Sequence, residues 1–527
     1  MRRLVPLLAL AALLAVAPAA GAHPERTTFY PDHRKGSTPK LRDYKGGGRD
    51  LVVCKADSAR RVRRIYRGTR LLRERLRQVR ACRFRHVQAA VDAARSGDDI
   101  LLMPGVYREE PSRRVPVDKP ASECGPFEVP DDGDAPVPTY QYQHACPNAR
   151  NLVAIIGDRD PDDDRRACNQ KCRLLIRGMG RRPVDVVLVG DRRKRDVLRG
   201  DRADGIVLFN FAVEQAAFNN VDLVETNGFR IQRVVARYGQ NYGVLTFASD
   251  NGLYRDVEAY GNGDSGVYPG SGPEGHCRRY GIVIERSNVH DNNMGFSGTA
   301  GNGTWYRENR FHHNGAGGAN DSFASGHPGM PQDCSRWTEN RIYSNNRGDF
   351  YDDAHDRYCA STPFERRRRT YVCPQFQIPV GTGIALFGAN GNRVERNWIY
   401  DNWRDGVRQF YVPAIVRGET DPAKQQDTSH ENVYRGNRMG VRPDGRRAPN
   451  GLDFLWDEQG RGNCWENNGR FVTSDPRQLP ACPGSPVVLP GDQRKFASQV
   501  PCVTWNPRTN PNPPGCDWFM TPPAPRP

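Results

Sequence analysis

A short unit repeats along the middle of the chain, and this repeat limits the possible folds more than any other feature. Its first element is a glycine followed by an apolar residue. The element occurs at Gly205-Ile206, Gly228-Phe229, Gly243-Val244, Gly266-Val267, Gly295-Phe296, Gly383-Ile384 and Gly406-Val407. Several of these sites lie 23 residues apart, and the longer intervals indicate insertions. A fixed period is typical of repeat architectures, so this region is expected to be one solenoid rather than several ordinary domains.

The second element is an apolar residue, then His or Tyr, then any residue, then Asn. Its copies are residues 259–262, 289–292, 311–314, 342–345 and 399–402, and a glycine follows each Asn by three or four positions. The stretch 340–356, NRIYSNNRGDFYDDAHD, is therefore one copy of the repeat with an acidic loop attached.

Apolar pieces of two to four residues, broken by Gly and Asn, do not have the 3.6-residue spacing of a helix. Leucine-rich repeats share the period, but each of their turns needs several leucines, which these turns lack. The pattern favours an all-β fold, a right-handed parallel β-helix, in which equivalent strands of successive coils stack about 4.8 Å apart. Asn at the same turn of each coil can then hydrogen-bond along the stack and is expected to tolerate a left-handed turn conformation.

The segment that leads into the repeat reads CRFRHVQAAVDAARSGDDILLMPGVYRE from Cys82. Val87, Ala90, Val91 and Ala94 have helical spacing, and an apolar strand starts at Ile100 and stops before Pro104. This pattern resembles the N-terminal cap and first coil of the pectin-lyase-like β-helix superfamily. The resemblance extends from about Cys82 to Gly440 and implies that an N-terminal helix covers the open end of the coil.

We divide the chain into four parts. They are a signal peptide (1–22), a basic N-terminal extension (23–81), the β-helix (82–445) and a Pro- and Cys-rich C-terminal wrap (446–527). The signal peptide is predicted from Arg2 and Arg3, an apolar run too short to span a membrane, and the small residues before His23. We therefore expect an exported, extracellular protein without a membrane span.

The sequence contains 14 cysteines, an even number that suits disulfide bonding in an oxidising compartment. Four pairs lie close in sequence: Cys168 and Cys172, Cys359 and Cys373, Cys464 and Cys482, Cys502 and Cys516. Connectivity does not follow from spacing alone. Zinc ligation by cysteine would need two tight pairs, and only Cys168 and Cys172 are close enough.

The formal net charge is +16, mostly from arginine. In an exported protein this excess points to acidic polymers outside the cell rather than to nucleic acid. An acidic polysaccharide is therefore the predicted partner, and the protein is predicted to be a monomer. A generic basic surface is the alternative.

Side chains alternate across a strand, so if Val289, Phe311, Ile342 and Ile399 point inward, the next residues point outward. His290, His312, Tyr343 and Tyr400 would then form a stripe of rings along the coil axis. We predict that His290, Tyr343 and Tyr400 bind a polysaccharide by ring stacking. The alternative is a structural ladder in which the rings pack on each other.

The acidic loop after Gly348 contains Asp349, Asp352, Asp353, His355 and Asp356. Asp349 and Asp352 are predicted to hold a cation, for which Ca²⁺ is the candidate. Residues 353–356 are similar to the Asp-Pro-His-Asp motif of mannuronan C5-epimerases, with Ala354 in place of proline. The alternative is a solvated insertion held by Cys359 and Cys373.

The similarity to the epimerase motif implies catalysis in this loop. His355 would transfer the proton, Asp353 would orient it, and Asp356 completes the motif. His312 or Tyr343 of a neighbouring coil would serve as the second acid or base. Asp321, Ser322 and His327 lie close in sequence, but no strained elbow surrounds the serine, which argues against a hydrolase triad.

Two classes of function stay open at this point. The chain is an exported polysaccharide lyase or uronate C5-epimerase, or it is a non-catalytic β-helix that binds a glycan or serves as a structural spacer.

Overall fold

A computed structural model describes residues 28–41, 48–108, 121–129, 137–160, 167–323, 327–414, 419, 424, 429–505 and 512–526. The predicted signal peptide lies outside the described residues. From Asp50 to Asp475 the chain runs in turn through three long sheets, whose strands all pair in parallel. Equivalent residues of successive coils are direct partners, as Ile206 is of Phe229 and Val244 of Val267. The predicted all-β fold, a parallel β-helix, is confirmed.

In each sheet the strands follow one another along the coil axis. Sheet 1 contains Asp50–Val53, Asp99–Leu102, Leu175–Gly178, Ile206–Phe209, Asn227–Gln232, Asp250–Arg255, Ile282–Glu285, Thr304–Arg307, Arg336–Thr338, Arg393–Glu395, Val433–Arg435 and Cys464–Glu466. Sheet 2 contains Gly105–Tyr107, Val186–Val189, Ala212–Glu214, Val235–Arg237, Glu258–Tyr260, Asn288–His290, Arg310–His312, Arg341–Tyr343, Trp398–Tyr400 and Arg438–Met439. Sheet 3 contains Asn151–Ile156, Asp196–Asp201, Asn219–Val224, Val244–Phe247, Ser265–Gly270, Met294–Thr299, Ala316–Asp321, Thr382–Phe387, Asp405–Phe410, Leu452–Trp456 and Ser474–Asp475.

Helices and short strand pairs lie in the connections and at the ends. The α-helices are Ser58–Ile65, Leu71–Arg80, Val87–Ala93, Ala121–Cys124, Tyr140–Ala145, Pro147–Arg150, Asp353–Ser361 and Gln493–Ala497. The 3-10 helices are His33–Lys35, Gly125–Phe127, Pro183–Asp185, Gly348–Tyr351, Phe364–Arg366 and Val500–Thr504. Two-residue strands pair Gln332–Asp333 with Ala389–Asn390, Gln459–Gly460 with Leu489–Pro490, and Glu128–Val129 with Val137–Pro138.

The helix Val87–Ala93 covers the N-terminal end of the coil, as the sequence predicts. Its apolar face is buried in the main core. Gln88 also satisfies the edge of sheet 3, because its side chain donates to the carbonyl of Ala154 (3.0 Å) and accepts from the Ala154 amide (2.7 Å). These bonds occupy backbone groups that would otherwise be unpaired at the open end.

Asparagines stack inside the turn between sheets 2 and 3. Amide side chains hydrogen-bond from each coil to the next at 2.8–3.1 Å, through Asn262, Asn292, Asn314, Asn345, Asn402 and Asn450. The predicted ladder is therefore confirmed, but the left-handed residue is not the asparagine. It is the preceding residue, such as Asp291 (φ 54°) or His313 (φ 54°), which lets Nδ2 of Asn292 donate to the His290 carbonyl.

The glycine near the start of the strands of sheet 3 has a steric cause. A Cβ atom at Gly295 would lie 2.4 Å from the carbonyl oxygen of Gly317, and one at Gly383 would lie 2.4 Å from that of Gly406. Any other residue would force neighbouring coils apart.

The exterior of sheet 3 is buried under other parts of the chain. Trp505, Trp518 and Phe519 of the C-terminal segment form an apolar cluster with Phe387 and Phe410 of the sheet. The C-terminal segment also reaches the last coil, where the amide of Trp465 donates to the Pro480 carbonyl (2.9 Å).

All 14 cysteines are paired. The four pairs that are close in sequence form disulfides with each other, and the remaining bonds are Cys54–Cys82, Cys124–Cys146 and Cys277–Cys334. No helix in the described part of the chain is long and apolar enough to cross a membrane.

Candidate functional site

The predicted stripe of rings exists and is a continuous stack on the exterior of sheet 2. We call the rings of Tyr260, His290, His312, Tyr343 and Tyr400 the ring stack. Successive ring centroids are 4.8–5.2 Å apart, and the planes are within 10° of parallel. The rings therefore cover each other's faces, and a sugar can reach only their edges. This is the geometry of the structural ladder.

Two neighbouring imidazoles of the ring stack differ in charge. Burial lowers the pKa of His290, but hydrogen bonds from its ring to Asp291 (2.7 Å) and Glu258 outweigh burial and raise the pKa to about 9. Burial, together with the positive charge of His290, lowers the pKa of His312 to about 3. His312 is therefore neutral at pH 7. Its Nδ1 forms a hydrogen bond with Nδ1 of His313 (2.7 Å), and its Nε2 forms one with Oδ1 of Asn288 (3.0 Å).

The acidic loop folds into the 3-10 helix Gly348–Tyr351 and the α-helix Asp353–Ser361. Arg347 forms an ion pair with Asp349 (2.7 Å) and another with Asp291 (2.6 Å), so it links the loop to His290. Asp352 and Asp353 are exposed at the start of the α-helix, whereas Asp356 is buried.

His355 does not contact the residue predicted to orient it. Its Nε2 donates to the Val372 carbonyl, and its ring stacks on Tyr371 with centroids 4.0 Å apart. Among the described residues no hydrogen bond joins it to Asp353. Burial lowers the pKa of His355, which leaves a neutral ring at pH 7.

The described residues bring one group of three possible metal ligands together: His355, Cys359 and Cys373. Cys359 and Cys373 form a disulfide and therefore supply no thiolate. Asp349 and Asp352 are not part of this group, and Arg347 offsets the charge of Asp349. The Ca²⁺ site stays a prediction.

The set Asp321, Ser322 and His327 is not a triad. The Ser322 hydroxyl donates to the Gly388 carbonyl (2.5 Å), and Asp321 accepts from Thr299 (2.9 Å). His327 is buried against Phe247. These groups lie on the covered exterior of sheet 3 or in the loop above it.

A second feature, which the sequence did not reveal, is a shallow basic groove beside the acidic loop. We call it the arginine groove; its charged and aromatic lining is Arg192, Tyr238, Phe364, Arg367, Arg368, Arg369 and Tyr371. Arg192 and Tyr238 come from left-handed turns that follow two strands of sheet 2. The other residues come from the insertion that the disulfide Cys359–Cys373 closes.

The groove contains guanidinium groups that no carboxylate of the described residues meets at ion-pair distance. Within the described part of the chain, Arg192, Arg367 and Arg368 form no ion pair, whereas Arg369 pairs with Glu214. Nε of Arg192 and Nη1 of Arg367 are buried and have no hydrogen-bond partner there. Burial lowers the pKa of both arginines, yet arginine stays charged at neutral pH.

The groove is also held in shape. Arg367 donates through Nε to the Thr362 carbonyl (2.8 Å) and through Nη2 to the Cys359 carbonyl (2.7 Å). The guanidinium of Arg192 lies over the Phe364 ring, 5.5 Å from its centroid. These contacts fix the positions of Arg192 and Arg367, while Arg368 and Arg369 are exposed at the rim of the groove.

Comparison with protein families and with curated proteins finds no match. The chain is a disulfide-bonded parallel β-helix protein, and several solved structures are similar to it over most of its length at 9–13% sequence identity. They include the mannuronan C-5 epimerase AlgE4 A-module of Azotobacter vinelandii (12% identity, 72% of this chain and 82% of that chain, TM-score 0.41). The pectate lyase Pel9A is 13% identical, with 84% of this chain and 79% of that chain covered and a TM-score of 0.36. PfbA, a surface adhesin of Streptococcus pneumoniae, is 9% identical, with 73% of this chain and 87% of that chain covered and a TM-score of 0.38. Scores this low carry no activity over to this chain.

Proposed function

We propose that this protein binds an acidic polysaccharide outside the cell and that the arginine groove holds the anionic groups of the polymer. The observation that carries the proposal is a groove lined by four arginines, of which Arg192, Arg367 and Arg368 form no ion pair in the described part of the chain. The planar guanidinium matches a carboxylate, and the rings of Tyr238, Phe364 and Tyr371 offer apolar surface to a sugar.

An extracellular location fits this proposal. Seven disulfides persist in oxidising compartments, and uronate polymers occur outside cells. Lyase or epimerase chemistry stays a prediction. His355 is next to the groove, because its ring stacks on Tyr371, which lines the groove.

The test is the affinity for polygalacturonate and alginate of the variant Arg192→Gln/Arg368→Gln. We expect a loss of about tenfold or more, because each charge-assisted hydrogen bond contributes roughly 1.5–3 kcal/mol. Arg366→Gln is the matched control, since Arg366 is exposed in the same run of four arginines but does not line the groove. Incubation with the same polymers, followed by ultraviolet absorbance, detects any elimination product.

Equal affinity of the double variant and the wild type would overturn the proposal. So would an equal loss in Arg366→Gln, because the effect would then come from net charge. Retention on a neutral dextran would show that the groove does not select for charge.

A further inference from the structure

The last coils of sheet 2 carry exposed arginines at one register position. Arg310 pairs with Arg341, Arg341 with Trp398, and Trp398 with Arg438, each on the next coil. We call Arg310, Arg341 and Arg438 the arginine row; all three are exposed. Neighbouring coils are about 4.8 Å apart, so the row is a line of positive charge along the coil axis.

No acidic side chain of the described protein neutralises this row. The ion pairs of the described residues do not include Arg310, Arg341 or Arg438. Glu308 and Glu339 precede Arg310 and Arg341 by two residues, but among the described residues neither forms an ion pair with the row. Glu339 pairs with Arg396 at 3.6 Å, and Asp401 accepts from Ser344 and Trp403.

Like charges directly opposite each other on neighbouring strands destabilise a sheet. Arg310 and Arg341 are direct partners. The ring stack beside them does not compensate, because His312 is neutral and burial raises the pKa of Tyr343, so neither ring is anionic at pH 7. Arg310 and Arg341 therefore have no favourable charge pairing within the fold, whereas Arg438 lies over the Trp398 ring, 4.7 Å from its centroid. An external anion is the natural counter-charge of the row.

We propose that the arginine row is a second binding surface, on which a linear acidic polysaccharide lies along the coil axis. A uronate chain carries one carboxylate per sugar and advances about one strand spacing per sugar, so its charges can meet successive coils. Guanidinium groups of adjacent coils each offer a fork to a carboxylate. The substrate class rests on the proposed function, but the surface is separate from the arginine groove.

The test compares two double variants, each of which replaces two exposed arginines with glutamine and so removes the same charge. Arg310→Gln/Arg341→Gln removes part of the row. Arg393→Gln/Arg435→Gln removes two exposed arginines of sheet 1. Affinity for polygalacturonate and alginate is measured by calorimetry from low to moderate salt. We expect the row variant to lose about tenfold and to have a weaker salt dependence, whereas the sheet 1 variant stays within about twofold of wild type.

The groove variant Arg192→Gln/Arg368→Gln separates this proposal from the previous one. If the groove variant loses affinity and the row variant does not, the row is not a binding surface and the proposed function stands. If only the row variant loses affinity, the row binds and the groove does not. If the row variant keeps its affinity for uronate polymers but loses it for polyphosphate or DNA, the row binds phosphate polymers and the proposal of a polysaccharide is overturned.

Discussion

The exterior of sheet 1 and the exterior of the last coils of sheet 2 both carry arginines, but only on sheet 1 are these arginines paired with glutamates. On sheet 1, arginine and glutamate alternate in register, so Arg255, Glu285 and Arg307 are direct partners on three coils. Glu285 pairs with both arginines, and Arg435 pairs with Glu466 in the same way (2.7 Å). On sheet 2 the arginine row has no such partner. Charge on sheet 1 therefore stabilises the coil, as the pair Glu214 and Arg237 (2.7 Å) does on early coils of sheet 2, whereas the arginine row is available to a ligand.

The largest expected effect is the loss of Glu285. Its side chain is 6% exposed and lies between two guanidinium groups, so Glu285→Ala leaves two like charges close together. We expect a loss of about 2–3 kcal/mol in the free energy of unfolding, less than for a fully buried pair because both arginines are about one-third exposed. Denaturant unfolding measures this loss, and polymer affinity should not change.

Glu466→Ala is the control for this prediction. Glu466 and Arg435 are both nearly half exposed, so the pair should contribute less than about 1 kcal/mol. If Glu285→Ala costs no more than Glu466→Ala, or if it weakens polymer binding, the two exteriors do not differ as argued.

The second prediction concerns His290, the one position of the ring stack where charge is paired as on sheet 1. Its pKa of about 9 in the folded protein exceeds the usual unfolded value of about 6.5. The stabilisation is therefore fully present below pH 6.5 and is lost as the pH rises through 9, by about 1–2 kcal/mol. His290→Gln should flatten the fall of the unfolding free energy between pH 6.5 and 9.

His312→Gln is the comparison in the same stack. His312 has a pKa of about 3 in the folded protein, so it is neutral above pH 7 in both states and should not affect the slope there. An unchanged slope in His290→Gln would mean that Asp291 and Glu258 do not hold a charged imidazole.

The repeat predicted the fold because each repeated residue is explained by contacts with the equivalent residues of neighbouring coils. Gly295 leaves no room for a Cβ, and Asn292 bonds to the equivalent Asn314, so both residues recur on the neighbouring coils. The cap helix was predicted because the apolar residues of its buried face have helical spacing in the sequence. Disulfide Cys277–Cys334 was not, because its cysteines are 57 residues apart and meet only after the coil has formed.

The candidate site was harder to predict because its residues come from distant parts of the chain. Residue types in the acidic loop gave no information on orientation, and His355 bonds to the Val372 carbonyl. Arg192 meets Arg367 only after several coils have stacked. The arginine row could have been found, since Arg310 and Arg341 stand just before the apolar residue of the repeated His/Tyr motif.

The smallest expected effect is on the stability of the row variant itself. Arg310→Gln/Arg341→Gln removes two like charges that face each other on neighbouring strands. We expect the unfolding free energy to stay constant or to rise by up to about 0.5 kcal/mol at low salt, and the gain should vanish at 0.5 M salt, where the screening length is only a few ångström. Denaturant unfolding at both salt concentrations measures this. The variant Arg435→Gln loses an ion pair, so its free energy of unfolding should decrease slightly instead. A loss above about 1 kcal/mol in the row variant would show that the row is packed into the fold, and sheets 1 and 2 would then use arginine for the same purpose.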